Sequence, residues 1–194
     1  MRARRPRLFW LLVIAVIAAI VQGVRHFAPG WLDSRSPRIA TRQGPTFTGR
    51  AKVIDGDTLE INGERVRLFG IDAPESRQEC QDAARLPYPC GHEATRALAA
   101  TIGRRPVTCT AVDYDRYDRE VAICQVDGRD LGDAMVRAGQ AVDYTQHSRG
   151  RYAAAEREAQ QARRGLWAGA FEFPWEWRRR MQGQPHFGSA DLSP

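Results

Sequence analysis

The chain has 194 residues, which suits one well-packed domain with a leader and a tail and argues against two full domains. Its formal net charge is +6, but four of its 29 Lys and Arg residues precede residue 25, a stretch without Asp or Glu. The rest of the chain is nearly balanced in charge, so the basic pI is weak evidence for a nucleic-acid partner.

The first 24 residues have the pattern of an export or anchor segment. Arginines precede the apolar run "LFWLLVIAVIAAIV" at 8–21, which has no charged side chain. The apolar stretch 8–24 has about 17 residues, the lower limit for spanning a bilayer, so a cleaved signal peptide and a retained signal anchor both stay open, with the anchor preferred. The arginines predict a cytoplasmic N-terminus, so the chain after Arg25 is expected in the periplasm or outside the cell.

Residues 25–45 mix Pro, Gly, Ser and Arg without apolar periodicity, and we interpret them as a linker. From Thr46 onward, alternating apolar residues are separated by Asp55-Gly56 and Asn62-Gly63, which are strong hairpin signals. The pattern predicts three antiparallel strands, which cover residues 47–54, 58–61 and 65–71.

The middle and end of the chain alternate between helical and strand patterns. Apolar spacing and terminal glycines predict helices at 91–102, 131–139 and 151–165, and two more strands at 106–112 and 119–126. Five short strands in a three-plus-two order predict an α+β domain with a small closed barrel such as an OB-fold, although this order also permits other α+β folds. The domain would cover residues 46–168, followed by a C-terminal tail at 169–194.

The four cysteines, Cys80, Cys90, Cys109 and Cys124, lie in the part expected outside the cytoplasm. An even number in that setting indicates two disulfides, and the spacings do not fit a zinc site. Of the three possible pairings we favour Cys80 with Cys90, which closes a short loop, and Cys109 with Cys124 across adjacent predicted strands.

Carboxylates and arginines concentrate in "VIDGDTLEINGERVRLFGIDAPE" at 53–75. Asp57 follows a tight turn and Asp72 ends a strand, so neighbouring antiparallel strands are expected to bring the two side chains together. Two adjacent carboxylates repel each other and need a proton, an Arg or a cation. Oxygen ligands suit a hard cation such as Ca²⁺, and the Ala73 carbonyl, oriented by the extended conformation that Pro74 favours, is a predicted third ligand.

Arg67 lies five residues before Asp72, and the two side chains start on opposite faces of the strand, so the loop must curve for them to meet. An Arg facing a cation suggests an anion between them, and a phosphate accepts two N–H bonds from a guanidinium. Glu75 is then placed to act on a water molecule as a general base. The alternative is that these groups form ordinary solvated ion pairs.

The segments "IDGDT" at 54–58, "RLFGIDAPE" at 67–75 and "YDRYDREVAIC" at 114–124 together resemble the thermonuclease, or staphylococcal nuclease-like, family. The resemblance implies an OB-fold barrel with three helices and Ca²⁺-dependent hydrolysis of phosphodiester bonds in DNA and RNA. It implies roles for six residues: Ca²⁺ ligands Asp57, Asp72 and Ala73, phosphate ligands Arg67 and Arg119, and general base Glu75. The residue before Arg119 is usually Gly in this family and is Asp118 here.

Three further residues are substrate-binding candidates. Tyr117 and Tyr144 are placed either to stack on nucleotide bases or to pack in the core or at its rim, and Arg116 is expected to contact the substrate. We interpret Arg178 to Arg180, with nearby tryptophans, as packing over the last helix rather than binding a membrane or nucleic acid. No protein partner is indicated, and a monomer is expected.

Two other classes of function compete with a nuclease. A catalytically silent OB-fold that binds nucleic acid or a protein would be expected to lack the acidic and Arg residues that this chain has. A calcium-binding structural module leaves Arg67 and Glu75 without a role.

Overall fold

The computed structural model describes residues 44–115, 117 and 119–183. The predicted leader, the linker up to residue 43, and the substrate-binding candidate Arg116 lie outside the described residues. Within the described ranges, no helix has both the length and the apolar character needed to cross a bilayer.

The described residues form eleven β-strands: β1 Thr46–Gly49, β2 Ala51–Val53, β3 Thr58–Ile61, β4 Glu64–Leu68, β5 Ile71–Asp72, β6 Cys80–Gln81, β7 Pro87–Tyr88, β8 Val107–Tyr114, β9 Glu120–Val126, β10 Arg129–Asp130 and β11 Val142–Asp143. They also form five α-helices: α1 Cys90–Ile102, α2 Leu131–Arg137, α3 Thr145–Ser148, α4 Ala153–Gln161 and α5 Pro174–Met181. A 3₁₀-helix covers Gly165–Ala168.

The main sheet is a nearly closed barrel. Its order is β1-β8-β9-β4-β3-β2, and β1 and β2 are two parts of one segment that is interrupted at Arg50. Because β1 pairs with β8 while β2 pairs with β3, the sheet returns to the segment where it began. A parallel pair, β4 with β9, joins the first three strands to the later two. Counting the first segment once gives five barrel strands, an OB-like α+β fold.

Apolar periodicity places the core. Val66 and Leu68, two residues apart on β4, are buried inside the barrel wall, as the period of a strand requires. Ala94, Leu98 and Ile102, four residues apart on α1, are buried in the same core cluster. This core therefore combines the inner faces of the barrel strands with one face of α1.

A second, smaller core lies under the C-terminal part of the described chain. Its buried members include the Cys80–Cys90 disulfide, Val142, Leu166 and Trp167, and partly buried Phe171, Phe173 and Trp175 pack against them. Part of the predicted tail, around Phe171 to Trp175, is thus packed onto the domain.

Both favoured disulfides are formed. Cys80 bonds to Cys90, which closes the loop that contains β6 and β7, and Cys109 bonds to Cys124 where β8 and β9 place them opposite each other.

The helix count differs from the prediction of three. Helices α1, α2 and α4 match the predicted ones, although α2 and α4 are shorter than expected. Helix α3 has four residues, too few to give a periodic apolar signal. Helix α5 falls in the predicted tail, where Phe173 precedes Pro174 at the first helical turn.

Candidate active site

A cleft of about 800 Å³ opens on the side of the barrel where β4 leads into β5. It brings together most of the residues that the sequence singled out. Its lining includes Asp57, Arg67, Ala73, Glu75, Tyr117, Arg119 and Tyr144. Asp72 contributes from behind the lining, since its side chain is 0% exposed.

Asp57 is held by the turn that the Asp-Gly dipeptide makes between β2 and β3. The Asp57 amide donates to the Asp55 carboxylate at 3.0 Å, and the Asp57 carbonyl accepts from the Leu68 amide at 2.8 Å. Its Oδ1 accepts from the Thr58 hydroxyl at 3.1 Å, and its Oδ2 accepts from the Ala73 amide at 3.1 Å. The carboxylate therefore joins the β2–β3 turn to the segment after β5.

Arg67 bridges the two predicted metal-binding carboxylates. Its Nη1 donates to Asp57 Oδ1 at 2.9 Å, and its Nη2 donates to Asp72 Oδ1 at 2.7 Å. The turn at Gly70, with φ of 70°, lies between Arg67 and Asp72 and brings their side chains to the same side of the chain. A Cβ at Gly70 would also lie 2.8 Å from the Ser148 Cβ, so this tight turn requires glycine.

Burial and mutual repulsion shape the charges of this cluster. Burial raises the pKa of Asp72 even though Arg178 and Arg67 favour its ionised form, and the charge of Asp57 raises it further. Burial and the charge of Asp57 raise the pKa of Asp55 to about 6. For Arg67, burial opposes the charge, but Asp57 and Asp72 outweigh it and raise its pKa. Burial and the repulsion between neighbouring carboxylates therefore favour cationic partners at this site.

The donor set suits a hard cation. Asp57 and Asp72 supply carboxylate oxygens to one small region, where the guanidinium of Arg67 meets both. Among the described residues, no group of three or more His, Cys, Asp or Glu side chains is arranged to hold a metal ion. A cation bound by this pair would therefore complete its coordination with backbone carbonyl and water oxygens, which Ca²⁺ accepts.

Glu75 begins a loop whose backbone is held in place by hydrogen bonds and by close packing. The Glu75 amide donates to the Gln78 side-chain oxygen at 3.2 Å, and the Gln78 amide donates to the Glu75 carbonyl at 2.7 Å. A Cβ at Gly91 would lie 1.8 Å from the Glu75 carbonyl oxygen, so the start of α1 packs directly against this residue. The Glu75 side chain is 33% exposed and lines the cleft.

Arg178 is the site residue that sequence reasoning assigned to tail packing. From α5 it donates through Nη1 to Glu75 Oε1 at 2.7 Å and to Asp72 Oδ1 at 3.0 Å, and through Nη2 to Asp72 Oδ2 at 2.8 Å. It lies 106 residues from Asp72 in the chain, so no local spacing links the two. The available sequence signal was Pro174 with the basic run at 178–180, which predicts a helix but not its contacts.

Arg119 lies in the cleft wall and is paired with Asp115. Its Nε donates to Asp115 Oδ2 at 2.7 Å, and its guanidinium carbon lies 5.5 Å from the centre of the Tyr117 ring. Although burial opposes it, hydrogen bonds from Arg119 lower the pKa of Asp115. The structure thus brings Arg119 to the same cleft as Arg67 but gives it a different carboxylate partner.

The two tyrosine candidates differ in their surroundings. Tyr117 is 62% exposed at the cleft rim. Tyr144 is partly buried and stacks on Trp175, with ring centres 5.3 Å apart and planes 12° apart. Packing against α5 therefore occupies one face of Tyr144.

Fold and cleft together define a small α+β barrel protein whose cleft combines buried carboxylates with arginines. Residues 65–169, more than half of the chain, match the family model described as Staphylococcal nuclease homologue. The chain belongs to this family. Asp57 precedes the matched range and Arg178 follows it.

Three relatives illustrate the similarity. Over 121 residues the chain is 43% identical to "Succinoglycan biosynthesis protein ExoI" of Rhizobium meliloti, covering 61% of this chain and 63% of that protein. It is 35% identical to an "Uncharacterized endonuclease" of Escherichia coli O157:H7, covering 66% of this chain and 82% of that protein. It is 39% identical to "Probable staphylococcal-like nuclease CAN1" of Oryza sativa, covering 64% of this chain but 35% of that longer protein.

Proposed function

We propose that the protein hydrolyses phosphodiester bonds in DNA and RNA, with little sequence preference and in a calcium-dependent manner. The observation that carries this proposal is a shared cleft in which Arg67 contacts both Asp57 and Asp72 while Glu75 and Arg119 line the wall. Family membership and the nuclease names of relatives support the reaction class.

In the proposed reaction, water supplies the oxygen that attacks phosphorus, and one phosphorus–oxygen ester bond breaks. The leaving sugar oxygen takes a proton from solvent water, so the products are a phosphomonoester and an alcohol. Glu75 accepts the proton of the attacking water. Arg67 and Arg119 hold the non-bridging phosphate oxygens and offset the negative charge that grows on them during attack. For Arg67 this means exchanging carboxylate partners for phosphate, because its Nη atoms donate to Asp57 and Asp72 in this structure.

Asp57, Asp72 and the Ala73 carbonyl would hold Ca²⁺, which would supply positive charge to polarise the phosphate. The all-oxygen donor set and the repulsion between the two carboxylates support this assignment. Arg116 and Tyr117 remain candidates for contacts to the substrate beyond the scissile bond.

We further propose that the reaction takes place outside the cytoplasm, in a protein that is a monomer and is either secreted or tethered to a membrane. The leader-like pattern at 1–24 supports export. Two disulfides with no free cysteine among the described residues suit an oxidising compartment.

The test is to incubate the purified full chain with single-stranded DNA and with RNA, in Ca²⁺ and in chelator, beside Glu75→Gln. We expect digestion in Ca²⁺ that chelator abolishes and that Glu75→Gln lowers by about 100-fold or more, since general-base catalysis contributes 10²–10⁴-fold. Glu79→Gln, in the same loop, is the matched control and should digest like the unaltered chain.

The outcomes separate the competing functions. Ca²⁺-dependent digestion that Glu75→Gln leaves unchanged would reject the proposed base. Binding of single-stranded DNA without digestion would instead support a catalytically silent OB-fold.

A further inference from the structure

Helix α5 lies beyond the family match, which ends at residue 169, and yet it reaches the cleft. Its contribution is the guanidinium of Arg178, which touches two residues with proposed roles. One nitrogen, Nη1, donates to both Glu75 Oε1 and Asp72 Oδ1, while Nη2 donates to Asp72 Oδ2. The fork thus ties the partly exposed Glu75 carboxylate to a carboxylate that is fully buried.

The segment that carries Arg178 is firmly attached to the domain. The Phe173 and Trp175 rings stack with centres 4.5 Å apart, and Trp175 stacks in turn on Tyr144. The Gln81 amide donates to the Ala170 carbonyl at 2.8 Å, and the Ala170 amide donates back to Gln81 at 3.1 Å. The backbone that carries Arg178 is therefore held in a fixed position relative to the cleft.

A second link joins the same two segments. The Gln78 side chain, which is buried, accepts from the Glu75 amide and donates to the Glu172 carbonyl at 2.7 Å. The Sγ atom of Cys90, bonded to Cys80, packs against the Gln78 carbonyl oxygen at 3.4 Å. The backbone of Glu75 and the approach to α5 are therefore locked together independently of the ion pair.

We propose that Arg178 is a positioning residue for Glu75, so that the C-terminal helix completes the active site. This inference rests on the proposed function of Glu75 as the base. A glutamate that is one third exposed has several accessible rotamers, and the Arg178 fork selects the one that places its carboxylate beside Asp72. Loss of that orientation lowers the rate, because misplacement of a reacting group by about 1 Å costs about 100-fold.

The opposite role, a plug that blocks the cleft, gives different expectations. Arg178 places positive charge on Asp72, a proposed cation ligand, so its removal should leave Ca²⁺ affinity unchanged or higher. A plug would therefore show faster turnover after its removal. A positioning residue would show slower turnover despite equal or tighter cation binding.

The experiment compares Arg178→Met and Arg178→Lys with Arg180→Met in the full chain. Arg180 lies on the same helix and pairs with Glu172, so its substitution controls for helix surface changes. We expect Arg178→Met to lower kcat by about 10- to 100-fold, with KM for a short single-stranded oligonucleotide within about 3-fold. Arg178→Lys keeps the charge without the fork and should recover part of kcat, while Arg180→Met should match the unaltered chain.

Calcium binding is measured directly by calorimetry on the same proteins, and circular dichroism verifies that each is folded at the assay temperature. Lower kcat with undiminished Ca²⁺ affinity supports the positioning role. Unchanged or higher kcat in Arg178→Met overturns it, as does a loss of Ca²⁺ affinity that accounts for the fall in rate. If the unaltered chain digests nothing, both the proposed function and this inference fail, whereas active Arg178→Met refutes the inference alone.

Discussion

Buried carboxylates lie close to other acids in two regions of the described chain, and the two regions differ in the hydrogen-bond partners of those carboxylates. In the cleft, both oxygens of Asp57 and both oxygens of Asp72 accept hydrogen bonds, several of them from arginines. At the end of β11, Asp143 is 4% exposed, and neither of its carboxylate oxygens has a hydrogen-bond partner within the described ranges. Its neighbour there is another acid, Glu156, which accepts from the Asp143 amide at 2.9 Å.

The difference follows from the cost of burying charge. A buried carboxylate is tolerated when cations and donors replace its lost water, and is costly otherwise. For Asp57 and Asp72 in the cleft, Arg67 and Arg178 replace the lost water. Removing either arginine should therefore destabilise the fold. The Asp143 region has no such partner in the described residues, so removing an acid there should stabilise it.

The largest effect is expected from Arg67→Met, which removes the bridge between Asp57 and Asp72. It should lower the free energy of unfolding by about 3 kcal/mol, because it leaves two buried carboxylates facing each other. It should also lower the digestion rate by about 1000-fold, because it removes a phosphate ligand. Urea unfolding in chelator and oligonucleotide digestion measure the two effects separately.

Arg65→Met is the stability control for that substitution, since Arg65 is an exposed residue two positions earlier on the same strand. It should change the free energy of unfolding by less than about 0.5 kcal/mol. Equal stability of Arg67→Met and Arg65→Met would show that the bridge contributes nothing to the fold.

The same substitution should have opposite signs in the two regions. Asp143→Asn removes a buried charge without breaking a side-chain hydrogen bond in the described structure, so we expect a gain of about 1 to 2 kcal/mol at pH 7. Asp72→Asn places an amide donor against the donors of Arg67 and Arg178, so we expect a loss of about 1 to 3 kcal/mol. Urea unfolding in chelator measures both, and a loss for Asp143→Asn would contradict the comparison.

Much of the barrel could be predicted because its signals are local. Asp55-Gly56 and Asn62-Gly63 mark turns between short alternating strands, and the structure has β3 between them at Thr58–Ile61, the predicted bounds. The predicted convergence of Asp57 and Asp72 arises differently from the expectation. Asp57 directly precedes β3, whereas Asp72 ends β5, which pairs with β11, and the two carboxylates meet through Arg67. The curvature needed for Arg67 to meet Asp72 was expected, but its source, a positive φ at Gly70, required coordinates.

The contributions that escaped prediction are tertiary. Arg178 reaches Asp72 and Glu75 because α5 packs on the second core, and that core depends on distant apolar residues and a disulfide meeting. The sequence also does not predict that the Asp143 carboxylate is buried without a hydrogen-bond partner in the described part of the chain. Asp143 belongs to the short strand β11, which forms only by pairing with β5. In both cases the deciding contact joins segments at least 70 residues apart.

The smallest effect is expected from Glu156→Gln. Burial raises the pKa of Glu156, and the charge of Asp143 adds to that effect although the Asp143 amide opposes it. Because the pKa of Glu156 is higher in the folded state, its protonated form is the one that favours folding. That contribution to stability is complete below the ordinary pKa of 4.5 and is lost as pH rises through the folded-state pKa. Glutamine keeps the acceptor for the Asp143 amide but does not ionise. Glu156→Gln should therefore match the unaltered chain at pH 4 and exceed its free energy of unfolding at pH 8 by at most about 1 kcal/mol.

Glu158→Gln is the matched control for this pH dependence, because Glu158 lies on the same helix and its carboxylate pairs with Arg137. Hydrogen bonding from Arg137 lowers the pKa of Glu158, so its ionised form is the stabilising one and its loss brings no gain at pH 8. Urea unfolding at pH 4 and pH 8 in chelator compares the two variants. A gain for Glu156→Gln that is the same at both pH values would trace its effect to packing. A gain confined to pH 8, together with none for Glu158→Gln, would attribute it to the uncompensated acid pair.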